Sequence, residues 1–256
     1  MTGQRGTKLQ HLMSSFPRGL VLTSRFLAAN GFNNRLVSCY KHSHWLDSLG
    51  DGAYRRRGED VDWKGALAAL QIQLQLPVHC GARTALVLQG FGHYVEFDEH
   101  AVYLFGPPGL RLPRWFERRD WSVPIVYKMT RLFPSGISES LVDLPVGEYS
   151  IRVSSPERAA MEMLYHVPAK QGFDEAERIM ESLLTLSAPL VQELLEACTS
   201  VKVKRLFLSM AEAERLPCLE EIDLDRIDLG KGDRTIVKGG RLDPKYRVTL
   251  PRKQAG

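Results

Sequence analysis

Two apolar pairs flank a single glycine near the start of the chain: Phe26 and Leu27 lie four to five residues before Gly31, and Val37 and Tyr40 lie six and nine after it. Helical spacing on both sides of a residue that adopts positive φ without strain predicts two short helices crossing over one small core. Thr23 is placed to cap the first helix and Asn33 to open the second. Directly downstream, HWLDSLGDGAYRR (44–56) sets two β-rich runs around Gly50-Asp51-Gly52, a strong hairpin signal. Trp45, Leu46, Leu49 and Tyr54 are expected to pack that hairpin on the helices. Upstream, Leu9, Leu12, Met13 and Phe16 predict a helix closed by Pro17, with GLVL (19–22) as a short extended piece. Helix, helix, turn, helix and hairpin in this order is a winged helix-turn-helix.

Burying Leu36, Val37 and Tyr40 leaves Asn33, Asn34, Arg35, Ser38 and Lys41 on the outer face of the second helix of the pair. In such a motif the start of this helix enters the major groove, where Asn bonds adenine and Arg bonds guanine bidentately. Ser24 and Arg25, opening the preceding helix, are placed to meet phosphate. His42 closes the recognition helix near the same backbone. Arg55, Arg56 and Arg57 leave the hairpin and are expected to reach backbone or minor groove.

Charge supports a polyanionic partner for this end. The formal net charge is +4, yet residues 1–57 hold nine Lys/Arg against Asp47 and Asp51, a local balance of +7. The rest of the chain carries 25 Lys/Arg and 28 Asp/Glu. A basic front quarter on a nearly neutral remainder is the footprint of nucleic-acid binding rather than of a uniformly basic protein.

RRRGEDVD (55–62) is polar and marks a boundary near residue 60, so the expected division is a DNA-binding domain over 1–60 and a larger domain over 61–256. Beyond the boundary, Trp63 to Leu74 and GARTALVLQGF (81–91) read as helical. HYVEF, AVYLF, VPIVYKM and YSIRV read as short strands between Gly/Pro turns. Ser155-Pro156 is an N-cap and N1 pair opening a helical block, with apolar stripes through Leu164, Met180, Leu194 and Phe207. The tail returns to extended pieces around Gly239-Gly240. The expected fold class is α+β: an N-terminal winged helix followed by a larger mixed C-terminal domain with a helical block.

Composition narrows the setting. With 44% hydrophobic residues there is ample core material, but the longest apolar runs are too short to span a bilayer, so no membrane partner is expected. MTGQRGTKLQ lacks the apolar region of a secretory signal, and the four cysteines form no CxxC pair; a reduced cytoplasm fits. Cys39, His42 and His44 have a spacing that could hold zinc, but no further ligands lie nearby in sequence. His79, Cys80 and His93 could be drawn as a nucleophile pair, but nothing local activates the thiol. Asp223 and Asp225, beside Gly-Lys-Gly, would share one face of a strand and could hold Mg²⁺ for a nucleotide enzyme. There is no phosphate-binding P-loop, so no catalytic residues, cofactor or metal are assigned. Lys202, Lys204 and Arg205 read as a solvated basic face that could meet nucleic acid or a partner.

The chain also resembles a known family. RLVSCYKHSHWLDSLGDGAYRR (35–56), VDWKGALAALQIQL (61–74), GARTALVLQGF, YLFGPPG (103–109), IRVSSPERA (151–159), SVKVKRLFL (200–208), IDLGKGDRTIVKGG (227–240) and LDPKY (242–246) are similar, in one order, to AbiEi antitoxins. These are the transcription-regulating partners in type IV, abortive-infection toxin–antitoxin operons. The resemblance implies an autorepressor whose winged helix binds inverted repeats in its own promoter; because a single winged helix reads few base pairs, two copies on the palindrome are expected. It further implies a C-terminal domain that counters an AbiEii-like nucleotidyltransferase toxin without forming a stable complex. An antitoxin that occludes its toxin directly, and the Asp223/Asp225 enzyme, are the alternatives.

Overall fold

The computed structural model describes residues 2–91, 101–134, 136–137 and 139–251, with side chains of residues 2–6 excepted. In chain order the elements are α1 (Thr2–Ser14), β1 (Leu22–Thr23), α2 (Ser24–Ala29), α3 (Asn34–His42), β2 (Leu46–Gly50), β3 (Ala53–Arg56), α4 (Trp63–Ala68), β4 (His79–Cys80), α5 (Ala82–Leu88), β5 (Val102–Gly106), α6 (Arg114–Glu117), β6 (Ile125–Met129), β7 (Leu141–Val146), β8 (Tyr149–Ser154), α7 (Pro156–His166), α8 (Phe173–Glu181), α9 (Ala188–Ala197), α10 (Val201–Ala213), β9 (Arg234–Thr235), β10 (Arg241–Asp243) and β11 (Val248–Leu250). The fold is mixed α+β, with a smaller N-terminal and a larger C-terminal part. The expected strand HYVEF lies outside the described residues.

Packing divides the chain into two compact units. The first comprises residues 1–79, 109–125 and 143–152; the second comprises 80–108, 126–142 and 153–256.

In the first unit, α1, α2 and α3 enclose a core of Leu12, Phe16, Leu22, Leu27, Phe32, Val37, Tyr40 and Leu46. Phe32, in the turn itself, is fully buried, and its ring lies 6.1 Å from Phe16 and 6.4 Å from Tyr40. Thr23 caps α2 by accepting from the Phe26 N–H, and Asn33 caps α3 by accepting from the Leu36 N–H. Gly31 sits at φ +80 between them, and Lys8 from α1 donates to its carbonyl at 2.8 Å. The hairpin joins β1 in a three-stranded antiparallel sheet of order β1-β3-β2. Asp51 and Gly52 both take positive φ, as a two-residue hairpin turn requires for strands of native twist. Trp45 departs from expectation: it is 42% exposed, while Leu46 is buried and Tyr54 half-buried against the core.

The free edge of β1 is covered by a side chain. Trp63 to Gln73 forms α4 and a π-helical continuation, Ala69–Gln73, which brings the buried Gln73 amide against β1. Its oxygen accepts from the Thr23 N–H at 2.9 Å, and its nitrogen donates to the Val21 carbonyl at 2.6 Å. One amide thereby satisfies both backbone groups that a neighbouring strand would have taken.

The second unit uses strands of a five-stranded sheet of order β6-β5-β4-β8-β7, with β4 and β8 parallel through Cys80 and Val153. β5 is buried along its whole length. α5 and α7 pack on each other, as do α7 and α10. The buried Glu162 accepts from Ser154 Oγ, Arg158 Nε and the Ala82 N–H, so its charge is fully compensated. The basic triplet of α10 departs from the expected solvated face. Lys202 donates to the carbonyls of Tyr165 and Val167, and Lys204 to that of Asp228. Arg205, 1% exposed, donates to the carbonyls of Leu229, Gly230, Gly232 and Arg247. These cations organise loops from within. Asp223 and Asp225 do not share a strand: Asp223 caps a 3-10 turn, Leu224–Arg226, by accepting from the Asp225 N–H.

Candidate nucleic-acid interface

A helix of nine residues buries one side and must leave the other to solvent. In α3 the buried side is Val37 and Tyr40, with Leu36 half-buried. Asn34, Arg35, Ser38, Lys41 and His42 are all exposed. Positions 34, 38 and 41 follow helical spacing, so the amide, hydroxyl and ammonium form one stripe, with the Arg35 guanidinium beside it. Asn33 is exposed too, but its side-chain oxygen is occupied by the Leu36 N–H. Its amide nitrogen is the part left for a ligand. Lys41 also lies over the Tyr54 ring at 6.0 Å, which ties the stripe to the hairpin.

The β2–β3 hairpin, the expected wing, is locked to α2 at its tip. The Ser24 N–H and the Ser24 hydroxyl both donate to the Gly52 carbonyl, at 2.7 and 2.9 Å. Gly52 sits at φ +80, and a Cβ there would meet Ser24 Oγ at 2.9 Å. Ser24 therefore departs from its expected role: its donor hydrogen is spent on the wing, and a phosphate needs donors. Arg25, one residue on, is exposed.

The three arginines that leave the hairpin have three different fates. Arg56 corrects the sequence expectation outright. It is 2% exposed, and its guanidinium donates to the carbonyls of Leu12, Met13, Phe16 and Pro17 at 2.7–3.3 Å. Its Nε pairs with Glu59 at 3.0 Å. It cannot reach DNA; it fastens the end of α1, whose last carbonyls have no partner within the helix, to the end of β3. Arg55 is partly exposed and faces Asp47 across the hairpin at 3.6 Å. Arg57 is exposed, while its backbone N–H donates to the Trp45 carbonyl.

Sequence reasoning had a signal for this split. Successive strand residues face opposite sides, so the middle arginine of three points away from its neighbours. Arg56 also sits opposite Leu46, a core residue.

The basic excess belongs to the first unit as a whole. It carries 15 Lys/Arg and nine Asp/Glu, a balance of +6, whereas the second unit carries 19 and 21. Part of that excess comes from residues 109–125, remote in sequence, which sequence reasoning did not connect with the wing.

Residues 5–97 match the family described as "Transcriptional regulator, AbiEi antitoxin N-terminal domain", and residues 99–251 match "Transcriptional regulator, AbiEi antitoxin, Type IV TA system". Among solved structures, the crystal structure of the RV2827C protein from Mycobacterium tuberculosis is similar over 90% of this chain and 85% of its own. Its TM-score is 0.59 at 13% identity, a likeness of fold alone. No curated protein gives a significant sequence match.

Proposed function

The chain belongs to the AbiEi antitoxin family of transcriptional regulators from type IV toxin–antitoxin systems, and from that premise we propose that residues 1–60 act as a winged helix-turn-helix that represses its own operon. α3 lies in the major groove of double-stranded DNA. Asn34 and Arg35 read base edges, Ser38, Lys41 and His42 follow the groove, and Asn33 contributes its amide nitrogen. Arg25, Arg55 and Arg57 bind phosphate. Two copies occupy inverted repeats in the promoter, because one winged helix reads few base pairs.

The observation that carries this reading is the polar stripe of α3 lying opposite its packed face, on the unit that holds all of the positive excess. Residues 61–256 serve the protective function, countering an AbiEii-like nucleotidyltransferase toxin in the cytoplasm without a stable complex and without enzymatic activity of their own. No helix among the described residues is long and apolar enough to cross a membrane.

A gel shift on the DNA upstream of the operon, at two salt concentrations, tests the repressor reading. Preference for that DNA over a scrambled duplex of the same length is expected at both. Equal affinity for the two duplexes would refute sequence-specific repression. Co-expression with the neighbouring nucleotidyltransferase tests the other half: growth is rescued, and the two proteins do not co-purify.

A further inference from the structure

The segment Arg111–Arg119 belongs to the first unit although it is more than fifty residues beyond the wing in sequence. It carries Arg111, Arg114, Arg118 and Arg119 against Glu117. Beneath it Trp115, Phe116 and Trp121 are buried with ring centroids 5.4–6.4 Å apart, so the segment is held rigidly rather than trailing as a basic tail. Arg111, Arg114 and Arg118 remain exposed. Arg114 and Arg118 stand four residues apart on one helical turn and share a side.

The wing gives this segment its meaning. Asp47 and Asp51 are the two acids of residues 1–57, and on a surface facing phosphates each would repel the ligand. Each is paired with an arginine while staying partly open to solvent. Arg55 faces Asp47 from the opposite strand, and Arg118 reaches Asp51 at the wing tip with Nη1 3.8 Å from the carboxylate. Arg118 is 68% exposed on its side chain, so the contact places a largely free guanidinium beside the tip.

We infer that Arg114 and Arg118 form a second backbone clamp beside the wing tip, holding DNA phosphates that neither α3 nor the wing itself touches. The inference rests on the DNA-binding reading above. It assigns the clamp to the sugar-phosphate backbone and not to bases, because exposed guanidiniums on a short turn at the hairpin tip supply charge and donors to phosphate without an element that enters a groove.

The test uses the full chain and a long duplex of the upstream DNA, with affinity measured by fluorescence anisotropy over a salt series. Each phosphate neutralised contributes about 0.9 to the slope of log K against log salt. The double variant Arg114→Ala/Arg118→Ala is expected to lower that slope by about 1.8 and to lose part of the hydroxyl-radical footprint, while preference over a scrambled duplex stays as in the wild type. Asp51→Asn keeps a residue tolerant of the left-handed turn and releases Arg118, so it should tighten binding and steepen the slope. A double variant with the wild-type slope and footprint would overturn the clamp even though the wild type is specific; if that variant instead lost toxin neutralisation, the arginines would belong to a protein contact. A wild type without preference for its own DNA would overturn the repressor reading, and the clamp with it.

Discussion

Replacing Arg56 by alanine separates a structural cation from a DNA-binding one. The guanidinium is buried and makes four hydrogen bonds to carbonyls at the end of α1 and in the turn after it, plus the pair with Glu59. Truncation leaves those carbonyls without their charged donor and Glu59 without its partner. Five contacts at about 1.5 kcal/mol each set a ceiling near 7 kcal/mol. Water entering the vacated space recovers part of this, and losing one member of a buried pair costs about 3–5 kcal/mol. At about 4–8 °C per kcal/mol for a unit of this size, the first unit should melt more than about 12 °C lower. Arg57→Ala is the control: an exposed side chain should change stability by less than about 0.5 kcal/mol. The assay is urea and thermal unfolding of both full-length variants, followed by tryptophan fluorescence and by DNA affinity on matched samples. An Arg56→Ala protein as stable as the wild type, but weaker on every DNA sequence in the manner of a lost phosphate contact, would refute the assignment.

Three further outcomes are expected. Arg35→Ala should cost about 1–3 kcal/mol on the cognate operator and relax preference at one base pair, as read by competition with single-position operator variants. Gly52→Ala forces a strained left-handed alanine whose Cβ presses on Ser24 Oγ, so it should destabilise by at least about 1 kcal/mol and loosen the wing. A stability equal to wild type would show that the Ser24 lock is dispensable. In the second unit, burial and then the charges of Lys128, Lys170 and Lys202 hold His166 down at about 4, against an ordinary 6.5. Its neutral form is native, so the stability present above pH 6.5 is lost as pH falls toward 4, by about 2–3 kcal/mol at pH 4.5. His166→Gln should remove that part of the loss, and equal losses in variant and wild type would contradict it.

What the sequence disclosed about the first unit was local. The caps Thr23 and Asn33, the Gly31 turn, the paired apolar stripes and the Gly50-Asp51-Gly52 hairpin each act within a few residues, and each is found where the pattern places it. Contacts between distant segments left little trace. Arg56 and Arg205 look like surface charges in any local window, yet both are buried because folded carbonyls from other segments converge on them. Residues 109–125 return to the first unit, with Trp115, Phe116 and Trp121 buried, through a long-range association that in sequence reads only as an aromatic cluster. The outer face of α3 was legible because burying Val37 and Tyr40 dictates it; the operator sequence proposed for it is not encoded in any periodicity.

The Gln73 amide on the rim of β1 has a consequence for how such proteins can be cut and recombined. An N-terminal piece severed at residue 60 would carry a bare strand rim, with the Val21 and Thr23 N–H groups and the Val21 carbonyl stripped of their Gly65 and Gln73 partners and open to pairing with another copy. A joint placed after residue 73 keeps this rim covered, while the segments 109–125 and 143–152 of the same unit have to come from the same parent. The glutamine belongs to the first unit although it lies past the polar stretch 55–62 that marks the boundary in sequence.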